Sequence, residues 1–262
     1  MNRTMVRPSP IFLGIVAVTV LGGVLCALGT SSFVATTGVV LLVLGGWGVS
    51  LCLHEFGHAY LALRGGDYSV RAKGYLNLDP RRYTDPVFSL VLPLVFLIIG
   101  GIPLPGGAVW INHHALRDKR AESFVSLAGP GANLILGVLI ALALRVIQMP
   151  AVLAAGLAYL ALLQIVAFII NILPIPGLDG WGAIEPYLSY QARELGAKVR
   201  PWAPMVLFVL LIGVPSVTGA LFDAAMYISH AVAGDHLGFG SGFQIPFANL
   251  AYEGQQLFMF WR

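Results

Sequence analysis

Residues 50–64 read SLCLHEFGHAYLALR, and they close an apolar stretch in which residues 8–53 include no Asp, Glu, Lys, Arg or His. Two histidines and one glutamate then follow within five positions, as His54, Glu55 and His58. Ionisable side chains inside a membrane are costly and usually serve a function. The stretch therefore predicts a membrane-spanning helix that carries a chemical site close to one end.

The composition of the whole chain agrees with a polytopic membrane protein. Of its 262 residues, 58% are hydrophobic and only 10% are charged, which is typical of helical proteins embedded in a bilayer. Apolar runs long enough to cross about 30 Å of hydrocarbon occur at residues 10–30, 34–63, 122–144, 151–172 and 203–222. We expect an all-α fold of five to six transmembrane helices, arranged as a single membrane-embedded domain over residues 1–262.

The distribution of basic residues predicts the orientation of the chain in the cell membrane. One side of the predicted topology receives Arg3, Arg7, Arg64, Arg71, Lys73, Arg81, Arg82, Arg117, Lys119, Arg120, Arg193, Lys198 and Arg200. The other side clearly receives only Arg145, so the first side is cytoplasmic by the positive-inside rule. Because the basic residues lie in short loops, the net charge of +3 indicates topology and a lipid partner, and no nucleic acid. The HEFGH motif then lies near the cytoplasmic end of the second helix.

Residues 86–112 lie between two loops that the charge pattern assigns to the same side, so an odd number of crossings is not expected there. Their apolar part, residues 87–101, is short for a span and leads into GIPLPGG at residues 101–107. Non-helical backbone at membrane depth must be satisfied by protein or water. We therefore expect a re-entrant, β-hairpin-like loop that lines a cavity; a true span over residues 86–101 is the alternative.

The spacing of the two histidines is typical of a metal site on a helix. His54 and His58 stand at positions i and i+4, one turn apart on the same face, where two imidazoles can bind one tetrahedral ion. In zinc hydrolases with this HExxH pattern, the glutamate takes a proton from water activated by the metal. We therefore predict Zn²⁺ with His54 and His58 as ligands and Glu55 as the general base. The alternative is that all three are ordinary polar residues near a helix end.

A catalytic zinc usually has three protein ligands, so the pattern requires one more. Asp179 is the candidate, because it ends the segment NILPIPGLD on the predicted cytoplasmic side. The two prolines of this segment stop the preceding helix and leave Asp179 on irregular chain that can bend toward the ion. An N-cap of a following helix is the alternative role of Asp179. Competing ligands are His113, His114 and Glu185, which we interpret as surface or solvated residues.

Three motifs occur along the chain in the order HEFGH at 54–58, AGPGAN at 128–133 and NILPIPGLDG at 171–180. Together they resemble the site-2 protease family of intramembrane zinc metalloproteases. The resemblance covers roughly residues 34–190, which would be the catalytic core, and leaves no space for the PDZ or CBS domains of some members. It also implies that residues 101–110 form the family's re-entrant β-loop, which aligns an extended substrate.

The resemblance further implies a role for each site residue. His54, His58 and Asp179 match the zinc ligands, and Glu55 matches the catalytic glutamate. Asn171 matches an asparagine that holds the substrate or the oxyanion. A helix C-terminal cap is the alternative role of Asn171.

These features predict a zinc metalloendopeptidase that cleaves transmembrane segments of membrane-anchored substrates, with a single-span membrane protein or peptide as its partner. The alternative is a non-catalytic zinc scaffold or transporter, against which Glu55 argues because transport needs no base. A prenyl-protein protease is a third possibility and would need a glutamate ligand such as Glu185. The substrate's identity, the trigger of cleavage and the oligomeric state are not encoded in any residue that we recognise.

Overall fold

The computed structural model describes residues 7–29, 31–83, 109–234, 237–239 and 243–259. The described α-helices are α1 (Pro10–Leu28), α2 (Ser32–Gly65), α3 (Ser69–Ala72), α4 (Lys119–Val146), α5 (Ala151–Ile172), α6 (Asp179–Ile184), α7 (Tyr190–Val199), α8 (Ala203–Gly213), α9 (Pro215–Ala233) and α10 (Phe247–Phe258). Two short strands, β1 (Leu237–Phe239) and β2 (Phe243–Ile245), pair antiparallel. The predicted all-α membrane fold is confirmed. The predicted re-entrant loop lies outside the described residues except for its last part, residues 109–112.

Four of the described helices, α1, α2, α4 and α5, are long and apolar enough to cross a membrane. The bent pair α7 and α8, with 61° between its helices, would make a fifth crossing if it is counted as one span. We expected one continuous helix over 203–222, but the helix is interrupted at Val214. Pro215 explains the break, because proline lacks an N–H and its ring obstructs the preceding turn.

The helices α1 and α2 form an antiparallel hairpin that packs through small residues. A Cβ atom added to Gly38 would lie 2.7 Å from the Cys26 nitrogen, and one added to Gly45 would lie 2.6 Å from the Thr19 hydroxyl. Such contacts leave no space for side chains, so glycine allows the two backbones to approach closely. At the other end of the hairpin, the residue before α1 is bonded to the segment that follows α3: the Ser9 N–H donates to the Asn77 carbonyl at 2.8 Å.

The core of the bundle consists of α2, α4 and α5, which pack against one another. Among the four spans, α5 is the most buried and α1 the least. The α4–α5 hairpin brings the start of α4 and the end of α5 to the same end of the bundle as the end of α2. This end of the bundle contains the HEFGH motif and the start of α6.

The end of α9 and the helix α10 lie toward the opposite end of the bundle. Arg145, in the last turn of α4, donates to the Val232 carbonyl near the end of α9 at 3.4 Å. The helix α10 packs on α5 and α2, and Gly254 lies directly against the Ala155 carbonyl in the first turns of α5. The C-terminal helix therefore packs against the half of the bundle that is remote from the histidines.

Candidate metal centre

His54, His58 and Asp179 come together near the C-terminal end of α2, where the two histidines are buried. The Nε2 atom of His54 lies 3.1 Å from the Nε2 atom of His58 and 3.2 Å from one carboxylate oxygen of Asp179. The Nε2 atom of His58 lies 3.5 Å from the other oxygen of Asp179. Among the described residues, this is the one group of three His, Cys, Asp or Glu side chains whose ligand atoms converge in this way.

The spacing of these three donors fits a zinc ion. Zinc binds histidine nitrogen and carboxylate oxygen at 2.0–2.2 Å in a tetrahedron, which separates neighbouring ligand atoms by about 3.3–3.6 Å. The observed separations of 3.1, 3.2 and 3.5 Å lie close to that range. Two imidazoles and one carboxylate, with a fourth position open to water, are also a common ligand set of catalytic zinc.

The structure leaves a small space for the ion by placing Gly129 of α4 beside the histidines. A Cβ atom added to Gly129 would lie well under 3.0 Å from the Nε2 atoms of both His54 and His58. No real Cβ atom tolerates such contacts, so glycine is needed at this position for the ring nitrogens to keep their positions. A metal ion bound between the two rings would lie next to Gly129.

Each imidazole is oriented by a hydrogen bond from its other nitrogen. The Nδ1 atom of His54 lies 2.6 Å from the Asn133 side-chain oxygen, and the Nδ1 atom of His58 lies 2.7 Å from the Val125 carbonyl. Both partners are acceptors, so each Nδ1 carries the proton and each Nε2 presents its lone pair. Hydrogen bonds of this kind are common behind metal-binding histidines, where they fix the tautomer and the ring orientation.

Asp179 reaches the histidines because α6 begins directly against the end of α5. Gly180 packs on the Ile172 carbonyl so closely that a side chain there would collide with the backbone. The Ser123 hydroxyl of α4 donates to the Ala183 carbonyl at 2.6 Å and holds the other end of α6. The alternative role of Asp179 as an N-cap is wrong: Leu178 occupies the cap position, and α6 has no side-chain cap hydrogen bond.

The surroundings of Asp179 favour its ionised form. Burial by itself would raise the pKa of this carboxyl, but while the histidines are protonated the charge of His58 and hydrogen bonds from both rings hold the pKa below its ordinary value. A bound metal cation takes the place of those Nε2 protons. The side chain is one-quarter exposed, so it is also within reach of water. An ionised carboxylate beside two imidazole lone pairs is a site for a cation.

Glu55 lies next to the three donors without joining them. Its side chain is only 2% exposed, and one carboxylate oxygen accepts a hydrogen bond from the Val109 N–H at 3.0 Å. The group of converging donors does not include Glu55. This is the position that a general base beside a metal site would occupy.

Residues 109–112 run past the site in a non-helical segment that is attached at three points. Besides the contact between Val109 and Glu55, the Lys73 ammonium donates to the Trp110 carbonyl at 3.1 Å. The Asn112 N–H donates to the buried Asp67 carboxylate at 2.8 Å. Burial opposes ionisation of Asp67, but hydrogen bonds from Ser69 and Asn112 outweigh it and lower its pKa. The segment is thereby tied to the end of α2 at neutral pH.

A cavity of about 450 Å³ opens onto the site. Its walls include all but one of the residues that the sequence singled out as site residues or competitors; these are His54, Glu55, His58, His113, Asn171, Asp179 and Glu185. The exception is His114, which is exposed and does not line the cavity. The amide nitrogen of Asn171 donates to the Ala167 carbonyl at 3.0 Å, inside the last turns of α5. Ala167 is already bonded within the helix, so Asn171 does not cap its free end. A role for Asn171 in substrate binding stays a prediction.

The sequence interpretation missed two polar residues that belong to this region. Asn133 contacts His54, and its amide nitrogen donates to the Gln164 side-chain oxygen at 2.8 Å. Both lie inside apolar spans, Asn133 in α4 and Gln164 in α5. Their positions in the sequence could have indicated a role, because an amide inside an apolar span is costly unless it has a hydrogen-bond partner.

Comparisons with known proteins agree with this site. The chain is 46% identical over 231 residues to a protein of Mycobacterium tuberculosis (strain ATCC 25618 / H37Rv) named as a zinc metalloprotease, Rip2; the match covers 87% of this chain and 88% of the relative. Rip2 of Mycolicibacterium smegmatis is 47% identical over 214 residues, which are 80% and 82% of the two chains. YwhC of Bacillus subtilis, also named as a zinc metalloprotease, is 32% identical over 174 residues, or 63% and 77%. No family model and no solved structure matches the chain.

The fold and the donor set thus define an integral membrane protein with a zinc site, and the relatives define its chemistry as proteolysis. The chain belongs to the site-2 protease family of zinc metalloproteases, as its motifs indicated. The predictions of an enzyme and of a zinc cofactor are confirmed with it.

Proposed function

We propose that this enzyme cleaves the transmembrane segments of single-span membrane proteins or peptides. The observation that carries the proposal is the position of His54, His58 and Asp179 at the buried end of a spanning helix, with Glu55 beside them and a cavity in front. If the metal-binding side chains lie inside the bundle, the substrate polypeptide must enter the bundle to be cleaved. We propose residues 34–190 as the catalytic core of one membrane-embedded domain.

In this proposal His54, His58 and Asp179 hold the zinc ion, and hydrogen bonds orient both imidazoles before the ion binds. Zinc in such a site supplies Lewis acidity, which polarises a carbonyl oxygen and lowers the pKa of water. Glu55 takes the proton of the attacking water and returns it to the leaving nitrogen. The hydrogen bond from Val109 keeps the Glu55 carboxylate in one orientation while it does so. Asn171, on the cavity wall, is the proposed contact for the substrate carbonyl.

A substrate helix must unwind locally before cleavage, because helical hydrogen bonds shield its carbonyl groups. Residues 109–112 support this step, since they form a tethered non-helical segment at the edge of the site. We propose that the unwound substrate lies along this segment. The basic residues at this end of the bundle, such as Arg71, Lys73 and Arg120, support a cytoplasmic location of the site in the cell membrane.

Cleavage by protein reconstituted in liposomes, with each cut located by mass spectrometry, tests the proposal. We expect the wild type to cut single-span peptides inside their apolar segment. Asp179→Ala should lose zinc and fall to about 1% of wild-type cleavage or less, because it removes one of three ligands.

The matched control is Asp223→Ala, which removes an exposed carboxylate from α9 and should keep both zinc and cleavage. Equal zinc content in the wild type and Asp179→Ala would contradict the ligand assignment. Cuts confined to the soluble flanks of the peptides would contradict intramembrane cleavage. Zinc binding without cleavage of any peptide would favour a scaffold or transporter.

A further inference from the structure

Two buried amide side chains lie behind the metal centre, inside two apolar spans. Asn133 of α4 is 4% exposed and Gln164 of α5 is 1% exposed. Burying an unpaired amide costs on the order of 2–7 kcal/mol, so each needs a partner, and each contacts the other. This pair contributes no donor to the metal centre and does not line the cavity. Its function must therefore be exerted through His54, the functional residue that it touches.

We propose that Gln164 is a positioning residue for the zinc site and acts through Asn133 on His54. The inference rests on the proposed ligand role of His54. Gln164 determines which way round the Asn133 amide is held, and the Asn133 oxygen in turn holds the His54 ring with its Nε2 atom toward the site.

The order of donors and acceptors supports this chain of contacts. The Asn133 nitrogen can only donate, and it lies 2.8 Å from the Gln164 oxygen, which can only accept. The Asn133 oxygen must then face the Nδ1 atom of His54, 2.6 Å away, which therefore carries the proton. With the amide reversed, its NH₂ group would face Nδ1, and His54 would have to protonate Nε2 and lose the lone pair needed for a metal. Gln164 supplies the acceptor that disfavours the reversed state.

The packing of α4 supports the same conclusion. Gly129, Asn133 and Gly137 are spaced by four residues and share one face of the helix. Gly129 faces the two histidines, whereas a Cβ atom at Gly137 would lie 2.9 Å from the Ile165 side chain and 3.3 Å from the Gln164 Cβ atom. Glycine at 137 thus allows α5 to approach closely enough for Gln164 to reach Asn133. One helix face connects the metal centre to the amide pair.

Zinc affinity of the purified protein, measured by competition with a chromophoric chelator after the metal is stripped, tests the proposal without an activity assay. We expect Asn133→Leu to weaken binding about 10- to 100-fold, the usual effect of losing a hydrogen-bond partner behind a metal ligand. Gln164→Leu should weaken it about 10-fold, and Gln164→Glu, which keeps an acceptor oxygen, should stay within about 3-fold of wild type. The double variant Asn133→Leu/Gln164→Leu should match Asn133→Leu alone, because Gln164 acts through Asn133. The visible spectrum of the cobalt-substituted proteins should change in the same variants.

Two reference variants separate the possible failures. Ser50→Ala removes a buried hydroxyl that donates to the Trp47 carbonyl within α2, and should bind zinc as the wild type does. His54→Ala should lose the site; if it binds zinc normally, the ligand assignment fails and not this inference alone.

Wild-type affinity in Gln164→Leu, or additive losses in the double variant, would overturn the positioning role. Equal losses in Gln164→Glu and Gln164→Leu would also overturn it, since they would indicate packing. Should Gln164→Leu not fold, Gln164→Met is compared with Gln164→Glu in its place.

Discussion

Replacement of Glu55 by glutamine is expected to abolish turnover while leaving the zinc in place. A general base contributes about 10²- to 10⁴-fold to a hydrolytic rate, so peptide cleavage should fall by that factor. Zinc should be retained, because the donors that converge are His54, His58 and Asp179. Glutamine has nearly the same shape and keeps an oxygen that can accept the Val109 N–H, so the local structure should be preserved. Cleavage rate and zinc content, determined on the same preparation, check this expectation.

The matched control for this change is Glu253→Gln, which removes an exposed carboxylate from α10, at the opposite end of the bundle. It should cleave at the wild-type rate. Wild-type activity in Glu55→Gln would exclude Glu55 as the base. Loss of zinc in Glu55→Gln would instead assign Glu55 to metal binding, against the geometry described above.

The second large effect is expected at Gly129, where a single methyl group should exclude the metal. The added Cβ atom would collide with the Nε2 atoms of both His54 and His58, so the rings could no longer converge on one ion. Overpacking of this kind costs about 1–3 kcal/mol, and displaced ligand atoms add to the loss. Gly129→Ala should therefore weaken zinc binding by about 100-fold or more, as measured by metal content after dialysis against a chelator.

Gly131→Ala is the control for the change at Gly129. It lies two residues further along α4, and an added Cβ atom there meets nothing within 4 Å. Alanine favours a helix over glycine by about 1 kcal/mol at either position, so a difference between the two variants cannot arise from helix propensity. Gly131→Ala should keep its zinc. Full zinc binding by Gly129→Ala would show that the histidines do not share one ion beside this glycine.

Much of the site could be predicted from the sequence because its strongest signals are local. A spacing of four residues places His54 and His58 on one helix face wherever the helix lies. The absence of charge in residues 8–53 predicted the span that carries them. Asp179 required one further step, which was to use charged loops to bring two distant segments to the same side of the membrane.

The rest depended on contacts between helices, which no local pattern encodes. Gly129 leaves space for the two rings only because α4 packs against α2 at this residue, and the sequence does not show that contact. The partnership of Asn133 with Gln164 depends on the angle and register at which α4 meets α5. The hydrogen bond between Glu55 and Val109 joins positions separated by 54 residues. Polar residues in apolar helices can be singled out from sequence, but their partners cannot.

X-ray absorption at the zinc edge tests the central claim most directly, namely that His54, His58 and Asp179 hold one zinc ion. The wild type should contain one zinc per chain with only nitrogen and oxygen neighbours, at about 2.0–2.2 Å. Asp179→Cys should replace one of these with a sulfur neighbour at about 2.3 Å. A zinc ion in Asp179→Cys that shows no sulfur neighbour would contradict the assignment of Asp179, and with it the metal centre described here.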